Sequence, residues 1–229
     1  MKNSAATKPG QTAEKFSIER RQVLAADYLL FLPKGYGASS NKRWPLILFL
    51  HGAGERGSHL RLVTKHGPPK MGTTGANLPF IVVSPQCPKG KIWSNDLLLA
   101  QLDDIESRYA VDTHRVYLTG LSMGGFGTWS LGLRHPERFA AIAPVCGGAS
   151  LIELHLADKS KLMHLPVWVF HGAKDPVIPL EESERAVNCL KKLGVREVKF
   201  TVYPKALHDS WTATYANPEL FAWFLKHSR

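Results

Sequence analysis

Residues 115–125 read RVYLTGLSMGG. Val116, Tyr117, Leu118, Thr119 and Leu121 suit a strand buried on both faces. Gly124 and Gly125 then end any strand pattern, and Ser122 stands midway between Gly120 and Gly124. Glycines on either side of one residue let neighbouring backbone pass close by and allow a sharp turn. The residues that follow, 123–134, read as a helix that stops before His135-Pro136. The segment is therefore strand, tight turn, helix. Such a turn would lift the Ser122 hydroxyl above a sheet edge, where the free N–H groups and positive end of the helix also point.

The same alternation runs along the chain. WPLILFL (44–50), FIVVSP (80–85), FAAIAPVCG (139–147), VWVFHG (167–172) and VKFTVYP (198–204) are apolar runs of strand length. Segments 15–21 and 25–32 read as two further strands ahead of a PKGYG turn. Between these runs, residues 97–110 carry Leu98, Leu102, Ile105 and Tyr109 on one helical face, with Ser94, Asn95 and Asp96 available as caps. Residues 181–193 place glutamates early and lysines late before Gly194, and Asn217-Pro218 opens a terminal helix. The expected class is α/β, a mostly parallel sheet of about eight strands with helices on both faces. Chemistry in such a sheet gathers beyond the carboxyl ends of the strands.

A serine hydroxyl needs a base to become nucleophilic, and the base needs a carboxylate to orient it. Searching onward from Ser122, Asp175 follows the run VWVFHG and His208 follows VKFTVYP, each at a predicted strand end. Asp209, Asp158 and Glu153 are weaker competitors, and His171 reads as a packing or capping residue. An oxyanion needs two N–H donors. Met123 offers one. The loop after strand 44–50, His51-Gly52-Ala53-Gly54, offers the other, assigned to Ala53 with Gly54 as second choice. His51 reads as a loop-holding residue. Glu55 and Arg56 read as a loop-fixing ion pair, with substrate contact as the alternative. Trp93 and Trp211 fall where strand-end loops converge, and each reads equally as pocket lining or as core.

The 229 residues carry a formal net charge of +10, with 12 Lys/Arg against 4 Asp/Glu in residues 1–70 and near balance beyond. No interleaving of basic and aromatic residues marks a nucleic-acid platform. No apolar run is long enough to span a bilayer. The excess charge reads as a solvated basic surface, with attraction to an acidic substrate or polymer as the alternative. Cys87, Cys146 and Cys189 are too few and too widely spaced for a disulfide framework or a metal motif. They read as small buried groups, and no metal or other cofactor is expected. Residues 1–14 read as a disordered lead-in or linker and 15–229 as one catalytic domain. Residues 1–15 lack a signal-type apolar core, so the chain reads as cytoplasmic or as a piece of a longer secreted protein, and the compartment is left open. The oligomeric state is left open.

Taken together, HGAGERG, GLSMGG, HGAKDPVIP and HDSWTATYANPELFAWF resemble the α/β-hydrolase superfamily over residues 15–229. Within it they resemble compact carboxylesterases grouped with predicted peptidases, near feruloyl esterases and polyhydroxyalkanoate depolymerases. The resemblance implies Ser122 as nucleophile, Asp175 as acid and His208 as base. It implies hydrolysis of a small-molecule or polysaccharide-linked ester, with a serine peptidase as the alternative and a non-catalytic binding module as a remote third. Fewer than twenty residues separate Gly147 from Leu165, where larger relatives insert a lid. Little or no cap and an open, shallow site are therefore expected.

Overall fold

The computed structural model describes residues 11, 13–39 and 41–229. Its seven strands are β1 (Tyr28–Phe31), β2 (Trp44–Leu50), β3 (Ile81–Pro85), β4 (Val111–Leu121), β5 (Ala141–Val145), β6 (Val167–Gly172) and β7 (Val198–Tyr203). The helices are α1 (Gly67–Thr73), α2 (Asn95–Arg108), α3 (Met123–Arg134), α4 (Leu151–Leu156), α5 (Lys159–Leu162), α6 (Leu180–Lys192), α7 (Trp211–Ala216) and α8 (Pro218–Leu225). The strands form one sheet in the order β1-β3-β2-β4-β5-β6-β7. Only the β1–β3 pairing is antiparallel.

The continuous apolar strands have the double burial their composition requires. All seven residues of β2 are buried. Leu46, Leu48 and Leu50 pack into the core on one face, with residues of α2, α3 and α6. Ile47 and Phe49 face the other core, with Tyr215, Leu220 and Phe224 of α7 and α8. The chain runs from β2 outward to β3, then crosses back to β4 on the other side of β2. That reversal leaves a crevice beyond the carboxyl ends of β2 and β4. The His51 loop and Ser122 both emerge there.

One segment differs from the sequence reading. Residues 15–21 form no strand; they are irregular and exposed, with Phe16 86% accessible. The described sheet ends at β1, which pairs with β3, and residues 15–21 add no strand to its outer edge. This accounts for seven strands rather than about eight. The lead-in assigned to residues 1–14 lies, apart from residues 11, 13 and 14, outside the described residues. Over 147–165 the chain forms only the short helices α4 and α5, leaving Leu151, Ile152 and Leu156 exposed.

The glycines of the turn are required by contact. A Cβ on Gly124 would lie 1.9 Å from the Leu50 carbonyl oxygen and 2.8 Å from that of His51. One on Gly120 would lie 2.5 Å from Gly124 O and 2.7 Å from Leu50 O. These neighbours are buried backbone of β2, α3 and the loop after β2, and cannot swing aside as a side chain could. Gly124→Ala is expected to destabilise the protein by about 3 kcal/mol, at the upper end of typical overpacking costs. Urea unfolding measures this, and a variant as stable as its parent would contradict the packing argument.

Candidate active site

Ser122 sits between β4 and α3 with φ 53° and ψ −117°, a conformation that L-residues adopt at a cost and that surrounding structure must enforce. The enforcing bonds are visible. The Ser122 amide donates to Val145 O (3.0 Å), and Ser122 O accepts from the Phe126 amide (3.0 Å), which starts the helix. The hydroxyl is thereby held out of both the strand and the helix.

Asp175 follows β6. Its Oδ1 accepts from the amides of Val177 (2.8 Å) and Ile178 (3.0 Å). Its Oδ2 lies 2.7 Å from His208 Nδ1, and His208 Nε2 lies 3.0 Å from Ser122 Oγ. A carboxylate can only accept, so Nδ1 carries a proton and Nε2 of the neutral ring is left to accept from the serine. The loop bearing His208 is bonded to the one bearing Asp175. Lys174 N donates to Ala206 O (3.0 Å), and a Cβ on Gly172 would lie 2.2 Å from Leu207 O. His171 is fully buried, with Nδ1 2.7 Å from Ser183 Oγ and Nε2 2.9 Å from Ile178 O. It packs beneath the Asp175 loop, 3.4 Å from the carboxylate.

The loop after β2 crosses the end of β4. A Cβ on Gly52 would lie 2.8 Å from the Leu121 side chain and 3.6 Å from Leu121 O. His51 Nε2 accepts from the Cys87 amide (3.0 Å) and Nδ1 donates to Gly52 O (2.6 Å). Burial pushes its pKa down, in keeping with a neutral ring. Ala53 begins a single 3-10 turn, Ala53–Glu55, and is exposed. Met123 is the first residue of α3, so its amide is one of the helix's unbonded donors. Glu55 and Arg56 do not pair with one another. Arg56 donates to Ala53 O (3.0 Å) and Lys91 O (3.2 Å), while buried Glu55 faces His66 at 3.8 Å. In a 3-10 turn adjacent residues point in different directions, which separates them.

The two tryptophans touch different parts of the site. Trp93 donates from Nε1 to His51 O (3.2 Å) and lines a cavity of about 470 Å³ with Ser122, Met123, Phe126 and Ile178. Trp211 meets the His208 ring edge-on at 5.2 Å and the His66 ring at 5.4 Å. It lines a second cavity of about 430 Å³ with Lys70, Tyr215 and Phe221. Sequence reasoning missed Phe126 and Ile178. Phe126 lies four residues after Ser122, so helical phase carried a signal for it. Ile178 had none.

Cys146 was read only as a packing residue, yet it lies against the site. A ligand atom of Cys146, Asp175 and His208 can be chosen so that all lie within 4.8 Å of one another. Burial pushes the Cys146 thiol up to about 12, so it is protonated at neutral pH and weakly nucleophilic.

Residues 82–217 match the sequence model of the family described as Phospholipase/Carboxylesterase. The chain is 27% identical to a bifunctional acetylxylan esterase/xylanase of Neocallimastix patriciarum, over 72% of this chain and 24% of that protein. It is 28% identical to a probable feruloyl esterase C of Aspergillus terreus, over 73% of this chain and 62% of that one. It is 25% identical to a poly(3-hydroxyoctanoate) depolymerase of Pseudomonas fluorescens, over 65% and 59%. The chain thus spans less than two thirds of the length of these relatives. Among solved structures, a thermostable esterase superposes with a TM-score of 0.72 at 34% identity, covering 88% of this chain and 59% of that one. A ferulic acid esterase superposes at 0.68 with 20% identity, covering 86% and 92%, a likeness of fold.

The pH behaviour of Asp175 follows from its bonds. Burial alone would raise its pKa, but the His208 ring and the Ile178 and Val177 amides outweigh it, and the net direction is down. A carboxylate whose folded pKa is depressed contributes stability above the unfolded value, lost as pH falls through the folded value. The gap in thermal midpoint between the wild type and Asp175→Asn should therefore shrink as pH falls from about 6 to about 3. A gap that stays constant or widens in acid would contradict the assignment.

Proposed function

The chain belongs to the phospholipase/carboxylesterase family, and from that premise we propose that it is a serine carboxylesterase with the α/β-hydrolase fold, residues 15–229 forming its catalytic domain. The observation that carries this reading is one continuous set of contacts. Ser122 Oγ lies 3.0 Å from His208 Nε2, whose Nδ1 lies 2.7 Å from the fully buried Asp175 carboxylate. Each group follows a strand: Ser122 follows β4, Asp175 follows β6 and His208 follows β7.

In this mechanism Ser122 Oγ attacks the ester carbonyl carbon while His208 Nε2 takes its proton. Asp175 keeps the ring in the correct tautomer and stabilises the imidazolium that forms. The carbonyl oxygen, now anionic, is held by the Met123 and Ala53 N–H groups. The intermediate collapses, the C–O bond to the alcohol breaks, and His208 delivers the proton to the departing oxygen. Water then repeats the sequence on the acyl-enzyme, giving the acid and restoring Ser122. The scheme requires no cofactor.

The substrate is an accessible ester, either of a short acyl chain or attached to a polymer, such as an acetyl or feruloyl group on a plant polysaccharide. Two things support this. The segment 147–165 builds only two short helices beside the site and no lid domain. Relatives named as acetylxylan and feruloyl esterases align over most of the chain.

Ser122→Ala is expected to lower kcat on p-nitrophenyl acetate by about 10⁴ or more, with its thermal midpoint close to that of the parent. Turnover within about tenfold of the parent would remove Ser122 as nucleophile.

A further inference from the structure

The cavity beside Ser122 contains a polar group that hydrolysis does not use. Its walls are Ile92, Trp93, Met123, Phe126, Gly127 and Ile178, and it also meets Ser130. Ser130 follows Ser122 by eight residues, about 12 Å along α3, and both line this cavity with Phe126 between them. The wall between them is apolar and partly aromatic. Gly127 brings Trp93 close against the helix: a Cβ there would lie 2.8 Å from Trp93 Cδ1.

The Ser130 hydroxyl is held in a fixed sense. It donates to Glu153 Oε1 (2.7 Å), and its oxygen accepts from Asn95 Nδ2 (3.1 Å). Glu153 is largely buried, its side chain 14% accessible, and the same Oε1 accepts from Arg134 Nε (2.9 Å). With its one proton committed to a carboxylate, Ser130 Oγ has an acceptor lone pair to offer and nothing further to donate. An apolar cavity running from a nucleophile to a fixed acceptor discriminates by what stands at the far end of the acyl group.

We propose that Ser130, oriented by Glu153 and Asn95, is a specificity-determining residue that accepts a hydrogen bond from a hydroxyl at the far end of a planar hydroxyaryl acyl group. The proposal rests on the esterase reading and sharpens it. A rigid planar acyl arm spans the distance with little conformational entropy to lose, where a flexible chain loses several rotors. Its ring meets the Trp93 and Phe126 side chains, and its phenol supplies the donor that Ser130 lacks. An unsubstituted aryl acyl group buries the same apolar area but leaves the Ser130 acceptor unmet.

The test compares kcat/KM for methyl para-hydroxycinnamate and methyl cinnamate in the wild type and in Ser130→Ala. Using both esters on each protein cancels any general loss of activity in the variant. The wild type should favour the hydroxylated ester by about tenfold, the worth of one net hydrogen bond. Ser130→Ala should bring the ratio to about one. A wild-type ratio near one, or the same preference in both proteins, overturns the proposal. Hydrolysis of p-nitrophenyl acetate by the wild type keeps these outcomes separate from failure of the esterase reading. If the wild type cleaves no ester, both fall together.

Discussion

The carbonyl group of Leu50, at the end of β2, and the backbone of Gly124, in the first turn of α3, leave no room between them for a side chain. This close approach sets where the Ser122 hydroxyl stands. It draws the start of α3 down onto the sheet, forces Ser122 into a positive-φ turn, and places the loop after β2 over the end of β4. Were the helix displaced outward by one methyl group, the serine hydroxyl would move relative to a histidine held on a different part of the sheet. The strain at Ser122 is tolerated because the strands on either side of β4 are buried and paired with it.

A second constraint brings in the other two groups. Asp175 and His208 lie at the ends of adjacent parallel strands, β6 and β7, and glycine at 172 lets their loops touch. The carboxylate is removed from solvent, a costly place for a charge, and two amides together with the His208 ring compensate for it. His171 and Ser183 fill the space beneath. The site therefore stands on the ends of paired strands and on loops bonded to one another.

Much of this could be read from residue order. Continuous apolar runs identified β2 to β6 because a strand covered on both faces has no polar side. The turn at 120–124 was legible because few other structures place a serine between two glycines after a buried strand. Asp175 and His208 could be named because each closely follows an apolar strand. What could not be read depended on context. The stretch 15–21 alternates weakly, as a strand would, yet it adds no pairing to the outer edge of β1, a long-range outcome that its own residues do not encode. Residues 53–79 lack periodicity, and their short turns are set by contacts with Phe49, Gln86 and Cys87. Glu55 and Arg56 look like a pair in one dimension and diverge once the turn is built. Ser130 looks like an ordinary mid-helix serine until Glu153, twenty-three residues on, folds back to hold its proton.

The central claim is that Ser122 is made nucleophilic by His208 and by nothing local to its own turn. Labelling with a fluorophosphonate, followed by peptide mapping, tests it most directly. The account predicts one adduct, on the peptide containing Ser122, formed by the folded protein and lost in His208→Ala. An adduct at another residue, or labelling of Ser122 at an undiminished rate without His208, would contradict it.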